Sequence, residues 1–448
     1  MLLRLTRYLV VFEVYNPYSI LKLSEVLNDF RIMMNNRVVY SGRAVIANLV
    51  NTGIMLICEA SLTDEGWIDI PSLAQNENRL LEDFAEFLRQ TEKNSTITPE
   101  FKLVVADMHT LLSDLRRWME QVELGVRSLP TGDRVQAERE TIKKLEVPIL
   151  PAVAPLLERF ENLASSIPPE LQPVHRSYIK RQLHPLVLCS PFIYRTFQKP
   201  LGYAGDYEMV SMMLRDPYEG SSMFAKVLNR LFLDTAPVVA HRNRIIYLQQ
   251  RLHEETLRMA QQGKVARILS LGCGPAHEVQ NFLVDDPLCD NADFLLLDFN
   301  DETITNTSRE LEGLRTRHRR RTGIKLEKRS VNRILKESTS KGAGFEPASY
   351  DIVYCAGLFD YLSDRICRRL LEVLYDLVAP GGLVVATNVD SSNPSRYWME
   401  YVLEWHLVYR DKEGFSKIAP DKVPLEAINV KADETGVNIF LEVRKPAE

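Results

Sequence analysis

The chain has 448 residues and a formal net charge of −5; 45% of its residues are hydrophobic and 26% are charged. This length predicts two or three domains that can each bury a core, and the acidic balance argues against nucleic acid as a partner, because nucleic-acid binding relies on a basic surface. The six cysteines include no Cys-x-x-Cys pair, which favours neither a metal site nor a disulfide framework, and no segment approaches the ~18 apolar residues of a membrane span.

The start of the chain bears on cellular location. Its first residues, MLLRLTRYLVVFEV, hold only a short apolar run before Glu13, which makes a poor signal peptide. Because cysteines without a disulfide framework are typical of reducing compartments, we expect a cytoplasmic protein.

Residues 1–72 form the first predicted domain. Apolar and polar side chains alternate in Arg37–Tyr40 and Arg43–Ala47. Turn residues precede the first run at Asn35-Asn36 and follow the second at Thr52-Gly53. This pattern predicts a small β-rich module.

One turn of this module is similar to a known binding motif. The segment NLVNTG at Asn48–Gly53 resembles the Asp-x-Ser-x-x-Gly turn of PilZ domains, which bind cyclic dinucleotides. The paired arginines that such domains use on phosphates are not evident upstream. Two roles are therefore open for the module: a cyclic-dinucleotide site, or packing and homodimer formation.

Residues 73–240 show helical periodicity. Apolar side chains recur at helical spacing in Leu80–Leu88 and again in Val104–Leu115. Prolines at positions 148, 151 and 155 punctuate the middle of this region. We expect a helical cap, or linker, that leads into the next domain and can contribute to a homodimer.

The segment Val265–Ala276, VARILSLGCGPA, predicts a buried strand that runs into a glycine turn. Apolar residues from Ile268 to Leu271 are typical of a central parallel strand. Gly272 and Gly274 allow the backbone to turn sharply and to approach a ligand closely, where a Cβ would intrude. The same pattern occurs in tight turns of other α/β domains, so the turn alone does not decide the function.

Three further segments extend this pattern. Asp293–Asn300, DFLLLDFN, predicts a second apolar strand, and Asp298 follows Gly274 at roughly the ~20-residue offset at which a second-strand acid binds ribose hydroxyls. Tyr350–Leu362 predicts a fourth strand that breaks at a glycine. Leu377–Asn388 predicts a helix end, a Pro-Gly-Gly turn and a fifth strand. A dinucleotide dehydrogenase would not need this arrangement.

These four segments resemble motifs I, II, IV and post-IV of class I S-adenosyl-L-methionine-dependent methyltransferases. The resemblance covers residues 241–448 and implies an α/β domain with a Rossmann-like seven-stranded sheet, preceded by the helical cap and the β-rich, PilZ-like module. Ala276 stands where the family has the third glycine of Gly-x-Gly-x-Gly. The resemblance implies S-adenosyl-L-methionine as the cofactor. The cofactor-binding residues that it implies are Gly272, Cys273, Gly274, Pro275, Asp298, Phe299, Asn300, Val331, Asn332, Ala356 and Gly357.

A narrower resemblance involves three other strings. KPLGYAGDYE at Lys199–Glu208, GLFDYLSD at Gly357–Asp364 and TGVNIFLEV at Thr435–Val443 are similar to bacterial methyltransferases of extracellular-factor, or 3-hydroxypalmitic acid methyl ester, biosynthesis. This resemblance implies carboxyl O-methylation of a 3-hydroxy fatty acid. The product would be a fatty acid methyl ester that acts as a quorum-sensing signal.

The chemistry of the acceptor decides which residues are needed. A sulfonium methyl group is already activated, so displacement requires alignment of the acceptor and exclusion of water. A carboxylate requires only a cationic or hydrogen-bonding clamp, whereas a hydroxyl or amine also requires a base within hydrogen-bond reach. The candidate catalytic residues are Tyr203, Asp206, Asp360, Tyr361 and His406. The candidate cations for a carboxylate are Arg195, Lys199, Arg242 and Arg244.

Two other functions stay open from the sequence. The first is O- or N-methylation of another small metabolite or natural-product intermediate. An apolar tunnel between the helical cap and the fifth strand would favour the fatty acid, and a compact polar pocket would favour the metabolite. The second is a regulator whose β-rich module binds a cyclic dinucleotide, although the intact Gly272, Gly274 and Asp298 argue for a working cofactor site.

Overall fold

The N-terminal module is an antiparallel sheet. The computed structural model describes residues 2–14, 21, 24–34, 37–51, 56–68, 81, 84–85, 88–89, 96–337 and 345–447. The strands of the module are β1 (Leu2–Leu5), β2 (Leu9–Val14), β3 (Val26–Met34), β4 (Arg37–Asn51) and β5 (Leu56–Leu62), followed by a 3₁₀ turn at Asp64–Gly66. They pair in the order β1-β2-β5-β4-β3, which confirms the predicted β-rich module.

The centre of this module is Tyr40. Its ring is fully buried against Trp67, and its hydroxyl donates to the carbonyl oxygen of Arg43 at 2.6 Å and accepts from the backbone nitrogen of Thr63 at 3.1 Å. A buried phenol that satisfies its hydroxyl in this way ties β4 to the chain after β5. The predicted turns at Asn35-Asn36 and Thr52-Gly53 lie outside the described residues, so the PilZ-like turn stays a prediction.

The middle of the chain is helical. Its helices are α1 (Pro99–Arg127), α2 (Thr131–Ser165), α3 (Gln172–Val187), α4 (Pro191–Gln198), α5 (Tyr207–Met212), α6 (Met223–Leu233) and α7 (Ala236–Ala260). Ser190 and Ser222 begin α4 and α6 by accepting backbone N–H bonds. Leu80 and Phe87, in the first predicted helical run, lie outside the described residues. Among the described helices, none is long and apolar enough to cross a membrane.

The prolines at 148, 151 and 155 do not interrupt this region. All three lie inside α2, so the break that they suggest in the sequence is wrong. A proline in a helix interior removes one backbone hydrogen bond. Here the helix continues because Ile149, Val153 and Phe160 are buried against its neighbours, including α1.

The C-terminal part of the chain forms a mixed sheet with helices on its faces. The strands are β6 (Ala266–Leu271), β7 (Ala292–Asp298), β8 (Gly323–Lys328), β9 (Tyr350–Cys355), β10 (Val378–Val389), β11 (Ile428–Ala432) and β12 (Asn438–Arg444). The helices are α8 (His277–Asp285), α9 (Asp301–Arg317), α10 (Val331–Glu337), α11 (Asp364–Leu377), α12 (Arg396–Tyr401) and α13 (Lys412–Ser416). Short 3₁₀ turns lie at Cys289–Asn291, Phe359–Tyr361 and Leu425–Ala427.

The strand order of this sheet is β11-β12-β10-β9-β6-β7-β8. The pairs from β8 to β10 are parallel, and β12 is antiparallel to both β10 and β11. The chain therefore carries the seven-stranded sheet that the sequence predicts. The carboxyl ends of β6, β7, β9 and β10 lie at one edge, which is where ligands bind in open α/β sheets.

The sheet and the helical region share part of their packing. The segment after β10 places Trp398, Met399 and Tyr401 in the same buried cluster as α1 to α6. Glu161 of α2 accepts hydrogen bonds from the backbone nitrogens of Tyr397 (2.8 Å) and Trp398 (2.7 Å). The domain boundary predicted at residue 240 falls inside α7, which runs from the helical region onto the sheet.

Candidate functional site

The chain turns sharply at the carboxyl end of β6. Gly272 and Gly274 have φ angles of 68° and 52°, in the left-handed region that glycine adopts without steric cost. A Cβ added at Gly274 would meet nothing within 4 Å among the described residues, so this glycine borders open space. Ala276 is left-handed as well, with a φ of 51°, so the residue in the third glycine position keeps glycine-like backbone geometry. The turn forms a cradle that a side chain would fill.

Asp298, at the end of β7, is joined to this turn. Its Oδ2 accepts a hydrogen bond from the backbone nitrogen of Gly274 at 3.1 Å, and its Oδ1 accepts one from Asn300 at 3.0 Å. Burial raises the pKa of this carboxyl, and the backbone N–H groups partly oppose that rise. A carboxylate has about four acceptor positions, so these two bonds leave it able to accept from a vicinal diol.

A cavity of about 700 Å³ opens above the glycine turn. This volume lies within the range of small-molecule sites, ~300–1,000 Å³. The cofactor-binding residues predicted from the sequence that line it are Gly272, Cys273, Gly274, Pro275, Asp298, Phe299, Val331, Asn332, Ala356 and Gly357. These residues follow four different strands, and the fold brings them to one edge of the sheet.

Asn300 differs from this set. It is not among the residues that line the cavity. Its Oδ1 accepts a hydrogen bond from the backbone nitrogen of Thr303 at 3.0 Å, which caps the N-terminus of α9. The expectation that Asn300 contacts the cofactor is therefore replaced by a structural role beside Asp298.

Arg244 of α7 is a cation inside the cavity. Its Nη2 donates to the imidazole of His241, with 2.9 Å to Nε2, and no carboxylate of the described residues lies within ion-pair distance of it. Burial lowers the pKa of this guanidinium, and Asp360 is the main carboxylate that opposes the effect. Burial also holds the pKa of His241 well below its ordinary value, so the ring is neutral at pH 7. A buried guanidinium beside a neutral imidazole has N–H groups that can donate to an anion.

Gly357 shows how closely Arg244 approaches the end of β9. The residue has a φ of 84°, and an added Cβ would lie 2.8 Å from Nη1 of Arg244. Its backbone nitrogen donates to Oγ1 of Thr387 at 3.0 Å, which fixes the turn against β10. The glycine is therefore required both by its backbone conformation and by the guanidinium.

The other three candidate cations have partners elsewhere. Lys199 donates to the carbonyl oxygen of Glu404 at 2.6 Å, and Arg242 donates to the carbonyl oxygens of Met213 and Leu233. Arg195 pairs with Asp206. None of the three cations lines the cavity, although Met213, a partner of Arg242, does. Of the sequence-predicted cations, Arg244 is the one that faces the site.

Asp206 is a correction to the sequence-based expectation. Its carboxylate forms a bidentate ion pair with Arg195, at 2.9 Å for each oxygen, and also accepts from the backbone nitrogen of Met209 at 2.7 Å. It is fully buried and does not line the cavity. The side chain therefore caps α5 and fixes the loop 199–206, and it does not contact the acceptor.

Three other candidate residues, Tyr203, Asp360 and Tyr361, do line the cavity. The ring of Tyr203 lies 5.4 Å from that of Phe299, and Trp405 donates its indole N–H to the hydroxyl of Tyr361 at 2.9 Å. Burial raises the pKa of both tyrosines, so each hydroxyl stays protonated at neutral pH. Burial also raises the pKa of Asp360 to about 6, although its Oδ1 accepts from the backbone nitrogen of Val389 at 2.6 Å.

His406 does not meet the expectation of a catalytic base. Its neighbours Trp405 and Leu407 line the cavity, but His406 itself does not. Burial, with the charge of Arg176 next in size, lowers the pKa of His406 to about 3. A base with such a pKa binds a proton too weakly to act at neutral pH. The residue is half-buried, near the positive charges of Arg176, Lys199 and Arg396.

Glu278 and Tyr354 are cavity residues that the sequence analysis missed. The hydroxyl of Tyr354 donates to Oε1 of Glu278 at 2.8 Å, and both side chains are buried. Burial raises the pKa of Glu278, opposed in part by the Tyr354 hydroxyl. The signal in the sequence is an acid in the first turn of the helix after the glycines, next to the apolar Val279. Such a carboxylate can accept hydrogen bonds from an ammonium group.

No protein-family model matches the sequence, and a search of curated proteins finds no relative. Several solved structures are partly similar to the chain. A possible exported protein from Bordetella parapertussis is 17% identical, with a TM-score of 0.43, over 57% of this chain and 86% of that one. Magnesium protoporphyrin IX methyltransferase from Synechocystis PCC 6803, with bound S-adenosylhomocysteine, is 10% identical, with a TM-score of 0.32, over 46% and 84%. The N-methyltransferase NodS from Bradyrhizobium japonicum WM9 is 17% identical, with a TM-score of 0.30, over 54% and 98%.

Proposed function

We propose that the protein is an S-adenosyl-L-methionine-dependent methyltransferase whose acceptor is the carboxylate of a 3-hydroxy fatty acid. The observation that carries the proposal is a single cavity in which a glycine-and-acid cradle, a buried guanidinium and an apolar wall meet. Each of these three parts suits one part of the two substrates. Their combination is not needed by a protein that only binds a nucleotide.

The cradle fits the cofactor. Gly274 borders open space that a Cβ would fill, and Asp298 beside it can accept from both hydroxyls of a ribose. Phe299, which is 39% exposed, offers a ring face for the adenine. Glu278, in the first turn of α8, offers a carboxylate for the methionine ammonium group.

Arg244 suits the acceptor carboxylate. It is buried, it faces the cavity, and the described residues leave it without an ion pair. A guanidinium binds a carboxylate through parallel N–H bonds, which fix the direction of the carboxylate as well as its position. Arg244 therefore orients one carboxylate oxygen toward the methyl group.

This reaction needs no proton acceptor. When bound, the cofactor would supply a methyl group on a positively charged sulfur for transfer to a carboxylate oxygen, with the C–S bond broken and the sulfur leaving as a neutral thioether. The residues around it hold the acceptor in line and exclude water. The low pKa of His406 and its place outside the cavity agree with such a mechanism.

The apolar wall favours a fatty acid over a compact polar metabolite. Cavity-lining residues on the helical side include Phe192, Met213 and Val238, and the segment after β10 adds Met399 and Leu403. All five are buried. Burying a methylene against such a wall contributes about 0.8 kcal/mol.

The first test combines binding and product analysis. The purified chain is titrated with S-adenosyl-L-methionine in a calorimeter, and 3-hydroxy fatty acids are then incubated with both and examined by mass spectrometry. Binding together with the mass gain of one CH₂ on the fatty acid supports the proposal. Binding without that gain would overturn the acceptor and keep the methyltransferase, whereas no binding would overturn the enzyme and favour a regulatory role for the N-terminal module.

The second test concerns Arg244. The variant Arg244→Gln loses a charge-assisted hydrogen bond that contributes about 1.5–3 kcal/mol. We therefore expect the KM for the fatty acid to rise by about tenfold or more, with unchanged affinity for the cofactor. Arg242→Gln, on the same helix but bonded to the carbonyl oxygens of Met213 and Leu233 and outside the cavity lining, is the matched control and should keep the KM. A loss of cofactor affinity in Arg244→Gln instead would place the methionine carboxylate on this residue.

A further inference from the structure

The order of the strands gives the cavity a direction. Asp298 follows β7 and Asn332 follows β8, whereas Gly357 follows β9 and Val389 ends β10. Because the strands lie in the order β8-β7-β6-β9-β10, these residues are arranged from one side of the cavity to the other. The proposed cofactor residues follow β6, β7, β8 and β9, so the β10 side of the cavity is left for the acceptor.

Four helices supply an apolar part of the cavity wall. Every described residue that lines the cavity from α4, α5, α6 and α12 is apolar. These residues are Phe192, Ile193, Met209, Val210, Phe232, Trp398 and Met399. They belong to the buried cluster of the helical region, so this branch of the cavity enters the helical core.

An aromatic pair lies where the branch meets that core. Phe232 and Trp398 are stacked, with 5.0 Å between ring centroids and 16° between ring planes, and they are 4% and 5% exposed. Phe160 packs edge-on against Trp398, at 6.2 Å and 86°, and does not line the cavity. The cavity therefore stops at the pair, and a second aromatic layer supports it from behind.

We propose that Phe232, stacked on Trp398, closes the apolar branch and sets the longest acyl chain that the enzyme accepts. This inference rests on the proposed function, since it assigns the branch to the acyl chain of the acceptor. Each methylene added to a short acceptor raises kcat/KM by about fourfold until the chain reaches the pair. A longer chain has to displace tightly packed rings, so kcat/KM falls.

The experiment measures kcat/KM for a series of 3-hydroxy fatty acids of increasing chain length. Phe232→Ala should move the optimum to longer chains by at least one two-carbon step, because it removes the ring that closes the branch. Phe224→Ala is the matched control: Phe224 lies on the same helix and is also 4% exposed, but it does not line the cavity. That variant should lose stability and keep the wild-type optimum.

Two further variants keep the test decisive. Phe232→Leu removes less volume, so it serves if the alanine variant does not fold, and it should move the optimum in the same direction. Val210→Phe adds bulk to the apolar wall of the cavity and should move the optimum to shorter chains. A structural role alone would not move the optimum in opposite directions.

The outcomes separate this inference from the proposed function. If folded Phe232 variants methylate fatty acids with the wild-type chain-length profile, Phe232 does not limit the chain length, and the proposed function stands. If the wild-type enzyme binds the cofactor and methylates no fatty acid of any length, the proposed function fails, and the role of Phe232 in chain-length selection fails with it. Opposite shifts in the Phe232 and Val210 variants support both.

Discussion

Oδ2 of Asp298 lies 3.1 Å from the backbone nitrogen of Gly274, so the acid at the end of β7 holds the glycine turn at the end of β6. Asp298 ends β7, and Gly274 lies in the turn after the neighbouring parallel strand β6. One carboxylate thus shapes the cradle and also faces the cavity. The roles that the sequence suggests for the glycine and for the acid are coupled in the fold.

We expect Asp298→Ala to weaken cofactor binding. Loss of a hydrogen bond to a buried charged group costs about 1–3 kcal/mol, which corresponds to an increase in the dissociation constant of about fivefold to 150-fold. Calorimetric titration with S-adenosyl-L-methionine measures this increase. An unchanged dissociation constant in a folded variant would contradict the ribose assignment.

Gly274→Val should abolish cofactor binding, because its side chain would project into the open space of the cradle. Part of any effect comes from the left-handed backbone, which disfavours valine. Gly263→Val separates the two causes: Gly263 has a φ of 70° and also borders open space, but it lies in the turn before β6 and outside the cavity. Both variants should lose stability in thermal denaturation, and Gly263→Val should still bind the cofactor. Equal loss of binding in both would show that strain alone explains the result.

His406→Ala should keep near-wild-type turnover of a carboxylate acceptor. The residue lies outside the cavity lining, and its pKa of about 3 leaves it neutral across the working range. Initial rates between pH 6 and pH 9, on a variant whose circular dichroism matches the wild type, check this expectation. A loss of kcat relative to the wild type that is largest at high pH and shrinks as the pH falls into the ordinary histidine range would restore His406 as a base.

Glu161 makes the junction between α2 and α12 sensitive to pH. Burial raises the pKa of Glu161 from 4.5 to about 7, despite hydrogen bonds from the backbone nitrogens of Trp398 and Tyr397. A carboxyl whose pKa is higher in the folded than in the unfolded state stabilises the fold fully below about pH 4.5, and this contribution is lost as the pH rises through about 7.

Glu161→Gln should therefore gain stability relative to the wild type as the pH rises from about 4.5 to 7. The measurement is the difference in thermal denaturation midpoint at several pH values. Glu158→Gln, on the exposed face of the same helix, is the control and should show no such trend. A difference between Glu161→Gln and the wild type that stays constant with pH would contradict the assignment.

The cofactor cradle could be predicted because its parts are local. A buried strand followed by glycines, and a second strand ending in an acid, each lie within a dozen consecutive residues, and parallel strands bring their carboxyl ends to one edge. Asn300 was assigned by its position beside Asp298, but the N-terminus of α9 uses its side chain as a cap. Adjacency in sequence could not separate these two roles.

The acceptor side could not be predicted in the same way. Asp206 and His406 have suitable chemistry, but Arg195 engages the first and the packing of the segment after β10 buries the second away from the cavity. Arg244 is one of four candidate cations, and its position in the cavity lining distinguishes it from the other three. The contact of Glu278 with Tyr354, which joins α8 to β9, is set by the fold and not by neighbouring residues in the sequence.

The sequence by itself determined the β-rich module, the helical region, several strands of the second sheet and the glycine-and-acid cradle, because periodicity and turn chemistry act over a few neighbouring residues. Tertiary structure alone decided that α2 continues through three prolines, that Trp398 and Phe232 meet across 166 residues of chain, and that Arg244 faces Gly357. These features depend on long-range packing, in which burial and the choice of partner fix what each side chain can do.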